Sequence, residues 1–204
     1  MKETCKILYE ELSPRYLRTP QTPEEWTDVS DGFWQRWNLP NTCGTRFKVT
    51  FTGKSRTISG AIDGKHVQIK KPPNSGSNYF NYKGHFSMVL LAICDARYRV
   101  IYANFGNYGA DSDVRIFGRS DFLRLLEAGA LNLPADAALP NSERVLPYFF
   151  VADAAFPLSQ NLMKPVPGNG LTVEERRYNY RFVQRNIVKL FAIKRSLESA
   201  EDDA

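Results

Sequence analysis

The stretch Gly60-Ala61-Ile62-Asp63-Gly64-Lys65-His66 constrains this chain more than any other. A carboxylate stands at the end of a short apolar run, between two glycines. Glycine at such places lets other atoms approach the backbone closely. Taken alone, the heptad fits an Asp-Gly turn between two strands as well as a strand that delivers an acid to a crowded site. The downstream residues favour strands. Ala61 to Lys70 reads as one, and Phe86 to Cys94 as a second that is largely apolar and buried. Asp95-Ala96-Arg97-Tyr98 reads as a tight turn, and Arg99 to Phe105 as a third strand. Consecutive strands with short connections predict an antiparallel meander.

Around this meander the chain alternates helices and strands. Residues 3 to 12 suit a first helix, stopped near Pro14. Thr22-Pro23-Glu24-Glu25 is a helix start: Thr as N-cap, Pro at the first helical position, and Glu three residues after the cap. Trp26, Val29, Phe33, Trp34 and Trp37 then fall on one helical face, which reads as core rather than as a base-stacking surface. Ser112 caps a further helical stretch. Asp121 to Ala128 continues it, with Gly129 as its stop. Residues 130 to 146 read as a loop, and Tyr148 to Ala152 as a buried strand ending in Asp153. Thr172-Val173-Glu174-Glu175 is a second capping box, opening a helix expected to run to about Ser196. The last residues, 197–204, form an acidic tail.

With 204 residues the chain is long enough for one α/β domain with a real core. Its 43% hydrophobic and 24% charged residues are those of a soluble globular protein. No apolar run approaches a membrane span, and the first residues carry no secretory signal. Cys5, Cys43 and Cys94 lack metal-ligand spacing and leave an odd one over, which predicts reduced thiols in an intracellular protein. A net charge of +5 fits either a polyanionic partner or a basic solvated surface.

Several motifs, in order, carry a resemblance to a known family. They are Ala61-Ile62-Asp63-Gly64, Asn78-Tyr79-Phe80-Asn81-Tyr82-Lys83-Gly84, Phe86 to Asp95, and Ala152-Asp153-Ala154-Ala155-Phe156. Together the chain resembles the DDE nuclease domain of PIF/Harbinger-type transposases and their domesticated relatives, from about Leu8 to Ile193. The resemblance implies an RNase H-like domain whose mixed sheet starts with the three-stranded meander and is flanked by helices. It implies a nuclease using a divalent cation, magnesium or manganese. Phosphodiester chemistry commonly uses two such ions, and hard cations need carboxylate oxygens. Asp63 and Asp153 match the first two acids. A strand-end Asp153 that caps the next segment is the plainer alternative. Asp113 matches an acidic family position and suits a helix start, a supporting residue or, less well, a metal ligand. His66 suits either orientation of a site carboxylate or satisfaction of a backbone group. Lys65, Lys70, Lys71 and Lys83 are candidate phosphate contacts. Arg177, Arg181, Arg185 and Lys189 recur every four residues as a basic stripe, which fits a solvated face or a phosphate-contacting one.

The chain departs from the family in two places. The family's third acid, a glutamate on the final helix, falls on Lys189, or on Val188 in the alternative register. An ammonium there opposes a metal: two unit charges about 4 Å apart interact by about 4 kcal/mol at an effective dielectric near 20, and a divalent ion by about twice that. Catalysis is therefore expected to be impaired. The second departure is an insertion, residues 44–59, between a helical lead-in (residues 1–43) and the nuclease domain (residues 60–196). It holds Arg46, Lys48, Lys54 and Arg56 and no acid. It reads as a neutral insertion or a translated intron, or as a basic DNA-contacting hairpin. The resemblance further implies DNA as partner, a nuclear protein (a cytoplasmic one as alternative), and no membrane. No segment before Glu24 is long enough for the family's helix-turn-helix, so docking is expected to need a Myb-like protein. A non-catalytic binding protein that keeps the fold, and a decayed element without stable product, are the competing readings.

Overall fold

The computed structural model describes residues 2–37, 58–138 and 145–182. Within them a five-stranded mixed sheet has helices packed against it. Strands β1 (Ile58–Gln68), β2 (Ser87–Cys94) and β3 (Val100–Tyr108) form the expected antiparallel meander. Beyond β1 the sheet turns parallel: β6 (Phe149–Val151) pairs with β1, and β7 (Leu162–Met163) with β6, giving the order β3-β2-β1-β6-β7. β1 is thus the central strand, antiparallel on one side and parallel on the other.

Strand alternation divides the core. Ile62, Val89, Leu91, Ile93 and Phe150 point to one face, where they meet Ile116 and Phe117 of α3 (Asp113–Gly118) and Phe122 and Leu126 of α4 (Asp121–Glu127). Ala61, Cys94, Phe149 and Val151 point to the other. There they meet Val29 and Phe33 of α2 (Pro23–Trp37) and Tyr178 of α5 (Val173–Phe182). The aromatic face read from α2 is therefore core at Trp26, Val29 and Phe33. Trp26 reaches the first face, its ring edge-on to Phe150 at 5.6 Å, and its indole N–H donates to the Leu131 carbonyl at 2.7 Å. That bond satisfies a polar group that burial would otherwise penalise.

Local signals set the helix ends. Ser112 and Ser120 accept from Arg115 N and Leu123 N as N-caps of α3 and α4. Gly129 follows α4 at φ +66°, as a left-handed stop requires. At α5 the capping box is complete: Thr172 Oγ1 accepts from Glu175 N, and Glu175 accepts from Thr172 N at 2.8 Å. At α2 the same box is displaced, since Glu25 reaches Gln21 N instead of its cap residue.

Several boundaries differ from expectation: β1 ends at Gln68 and β3 extends to Tyr108, and the stretch from Ser112 to Ala128 is two helices, α3 and α4. Helix α1 (Lys2–Tyr16) runs through Pro14, which sits in its last turn and removes one donor there without ending it. β1 begins at Ile58, so the last two residues of the expected insertion belong to the sheet. The loop expected at residues 130–146 contains a short hairpin, β4 (Ala137–Ala138) with β5 (Val145–Leu146). β7 had no signal of its own: two residues are too few to show a period. Residues 44–57, and the continuation of the last helix toward Ser196, lie outside the described residues. No helix among the described residues is long and apolar enough to cross a membrane.

Candidate active site

β1 and β6 place the two candidate acids. Ala61 pairs with Val151 in parallel register, and Asp63 and Asp153 each lie two residues further on. In a parallel pair, partners share a level and a face, and a step of two returns to the same face. Asp63 thus lies mid-strand on β1, two residues after the Ala61 pair with Val151, and Asp153 lies two residues past that pair, just beyond the end of β6. Both residues are half-buried. Asp63 Oδ1 accepts from Gly64 N at 2.8 Å. Asp153 Oδ1 accepts from Ala155 N at 2.9 Å, so the plain capping role read for this residue is real. It leaves the other carboxylate oxygen for further chemistry. Lys164 Nζ, which the sequence reading passed over, donates to the Ala154 carbonyl at 3.2 Å and steadies the same turn.

Cys94 reports on the field at this end of the sheet. It pairs with Ala61 across β1 and β2, on the Asp63 face. Burial first, then the negative charges of Asp95 and Asp63, push its thiol up from the ordinary 9.0 to about 12. It is a free, buried thiol rather than a nucleophile.

Asp113 is the first residue of α3, as a helix-start role requires, and its carboxyl lies against Gly64. Side chains alternate along β1, so that contact is made on the face opposite the one the Asp63 Cβ leaves from. Any Cβ on Gly64 would overlap the Asp113 carboxyl, which explains the second glycine of the heptad. Gly60 answers for the first: a Cβ there would meet Ile93 at 2.8 Å and the Phe150 ring at 3.0 Å. Among the described residues no three His, Cys, Asp or Glu side chains gather closely enough to hold a metal ion. Asp63 and Asp153 are hard oxygen donors, the chemistry that suits magnesium or manganese, and they would be the residues to hold one.

His66 bonds to a hydroxyl, a partner absent from the alternatives read for it. Its Nδ1 lies 2.9 Å from Ser87 Oγ, which also accepts from the Asn81 side-chain amide at 2.8 Å. Lys65 is half-buried on β1. Lys70, Lys71 and Lys83 are exposed in the connection between β1 and β2. Arg177 is exposed on α5, a separate element that also carries Arg181. Arg185, Val188 and Lys189 lie outside the described residues.

Comparison with curated proteins and with solved structures gives no match. A family model described as DDE superfamily endonuclease matches residues 62–195, more than half of the chain and the span that contains Asp63, Asp113 and Asp153. The chain therefore belongs to the DDE superfamily endonucleases.

Proposed function

We propose that the chain is a transposase-derived endonuclease domain of the PIF/Harbinger type, RNase H-like in architecture. In this reading Asp63 and Asp153 hold a divalent cation, magnesium or manganese, and the substrate is DNA. The parallel register of Ala61 with Val151 is what supports the proposal: Asp63 and Asp153, ninety positions apart (153 minus 63), each follow that pair by two residues. When bound, such an ion activates the attacking oxygen and offsets charge building on the phosphate.

The chain's own residues do the rest. Asp63 and Asp153 are oriented by the amides of Gly64 and Ala155. Asp113 supports β1 from its far face at Gly64. Lys65, Lys70, Lys71, Lys83, Arg177, Arg181, Arg185 and Lys189 offer cations to the phosphate backbone, a sequence-independent, salt-sensitive contribution. Catalysis is impaired, since the third acidic position of the family carries Lys189 in this sequence. The domain runs from residue 60 to 196 after a helical lead-in and an insertion, and ends in an acidic tail. β1 takes Ile58 and Ser59 from that insertion. A Myb-like protein supplies sequence-specific docking, and the compartment is the nucleus.

Cleavage of supercoiled plasmid with manganese tests this reading. The unmodified chain is expected to nick slowly or not at all. Lys189→Glu is expected to gain activity, and Lys189→Glu with Asp153→Ala to lose it again. Robust cleavage by the unmodified protein that disappears in Asp153→Ala would show that another acid has taken the third position.

A further inference from the structure

We propose that the connection between β1 and β2 is a stacking platform for unpaired DNA nucleotides, a proposal that rests on the reading of the chain as acting on DNA. Residues 64–94 contain four lysines and both histidines of the chain, and no Asp or Glu. Inside this acid-free span Tyr82 is 83% exposed and Phe80 45%. Both rings are held in place. The His66 ring meets Tyr82 edge-on, centroids 5.5 Å apart, and Phe86 meets Phe80 at 5.2 Å. Ammonium groups stand over the aromatics: Lys83 Nζ is 5.8 Å from the Tyr82 centroid, and Lys71 Nζ is 5.4 Å from that of Phe86. Exposed rings interleaved with cations are what a single strand needs, bases stacking on the rings while phosphates pair with the ammonium groups.

The platform is built in advance of any ligand. Asn81 is buried beneath it. Its amide donates to Ser87 Oγ at 2.8 Å, and its Oδ1 accepts from Lys83 N and His85 N at 2.9 and 3.3 Å. Backbone bonds from Ser87 N to Tyr79 O and from Ala110 N to Asn78 O tie the connection to β2 and to the end of β3. A rigid surface forfeits little entropy when it binds. Duplex DNA keeps its base faces closed in the stack, so it would use the lysines and leave the rings idle. His66, the ring partner of Tyr82, is three residues beyond Asp63 on β1, about 10 Å along the strand and, by strand alternation, on the opposite face.

The test is fluorescence anisotropy of the full chain with labelled single-stranded oligo-dT and with a duplex of equal length, in EDTA to prevent cleavage. Tyr82→Ala is expected to weaken single-strand binding by about 5- to 100-fold, with the salt slope and the duplex affinity unchanged. Tyr82→Phe is expected to bind as the unmodified chain does. Lys83→Gln is expected to weaken both DNAs and flatten the salt slope. Tyr82 is exposed, so an unchanged melting temperature for Tyr82→Ala verifies its fold. Equal single-strand affinity for Tyr82→Ala and the unmodified chain, with duplex binding intact, would overturn the platform and leave the nuclease reading standing. Failure of the unmodified chain to bind either DNA would overturn both. Tighter binding of oligo-U than of oligo-dT would overturn the assignment to DNA.

Discussion

The carboxyl of Asp113, at the start of α3, rests against the α-carbon of Gly64 on β1. The two residues are 49 positions apart (113 minus 64), and the contact locks a short helix onto the central strand one residue after Asp63. It exists only because residue 64 has no Cβ. Gly64→Ala is therefore expected to destabilise the fold by about 1–3 kcal/mol, the usual cost of overpacking. Gly64→Ala combined with Asp113→Ala is expected to cost less than the sum of the two, because the second change vacates the space the methyl needs. Urea unfolding of the four proteins measures this; strict additivity would mean the two residues do not share a contact.

The Cys94 thiol gives a pH dependence whose sign is fixed. Its folded pKa is raised to about 12 from the ordinary 9.0 by burial and by the neighbouring acids. Between those values the folded chain keeps a proton that the unfolded chain releases. Stability then falls as pH rises through that window, and is unaffected by this group below it. Cys94→Ala is expected to show a flatter decline above pH about 9. In the unmodified protein, alkylation mapped by mass spectrometry should leave Cys94 unlabelled until the chain is unfolded. Rapid labelling of native Cys94 at pH about 8 would contradict the burial argument.

Much of this arrangement was legible in the sequence, for identifiable reasons. The meander showed because β2 is apolar from Met88 to Cys94 and is bounded by a turn whose Asp95 accepts from Arg97 N and Arg99 N. The helix starts showed because Ser112, Thr22 and Thr172 carry their own caps, whereas Ser120, which caps α4 as a helix separate from α3, was read as part of one continuous stretch. The two acids showed only through the family motifs, since no local rule says that β6 lies parallel to β1. The Asp113 contact with Gly64, the pairing of β7 and the Ser87 partner of His66 were not legible. Each joins residues far apart in sequence and depends on the tertiary path. The two-residue strands β4 and β5 were missed because they are shorter than any hydrophobic period.

The inserted segment makes a separate prediction. β1 begins at Ile58, so a clean deletion removes Gly44 to Thr57 and spares the strand. If the segment is a surface insertion, its removal shortens a loop and leaves the melting temperature unchanged or raised, since closing a longer loop costs only modest entropy. Differential scanning calorimetry reads the answer. A drop of more than about 5 °C, roughly 1–2 kcal/mol for a domain of this size, would show that the segment packs into the fold.

That Asp63 and Asp153 act as one cation site is checked by titrating the full chain with manganese in a calorimeter. Saturable heat is expected for the unmodified protein, lost in both Asp63→Asn and Asp153→Asn, with tighter binding in Lys189→Glu. Binding that survives both asparagine variants, or none in any protein including Lys189→Glu, would contradict it.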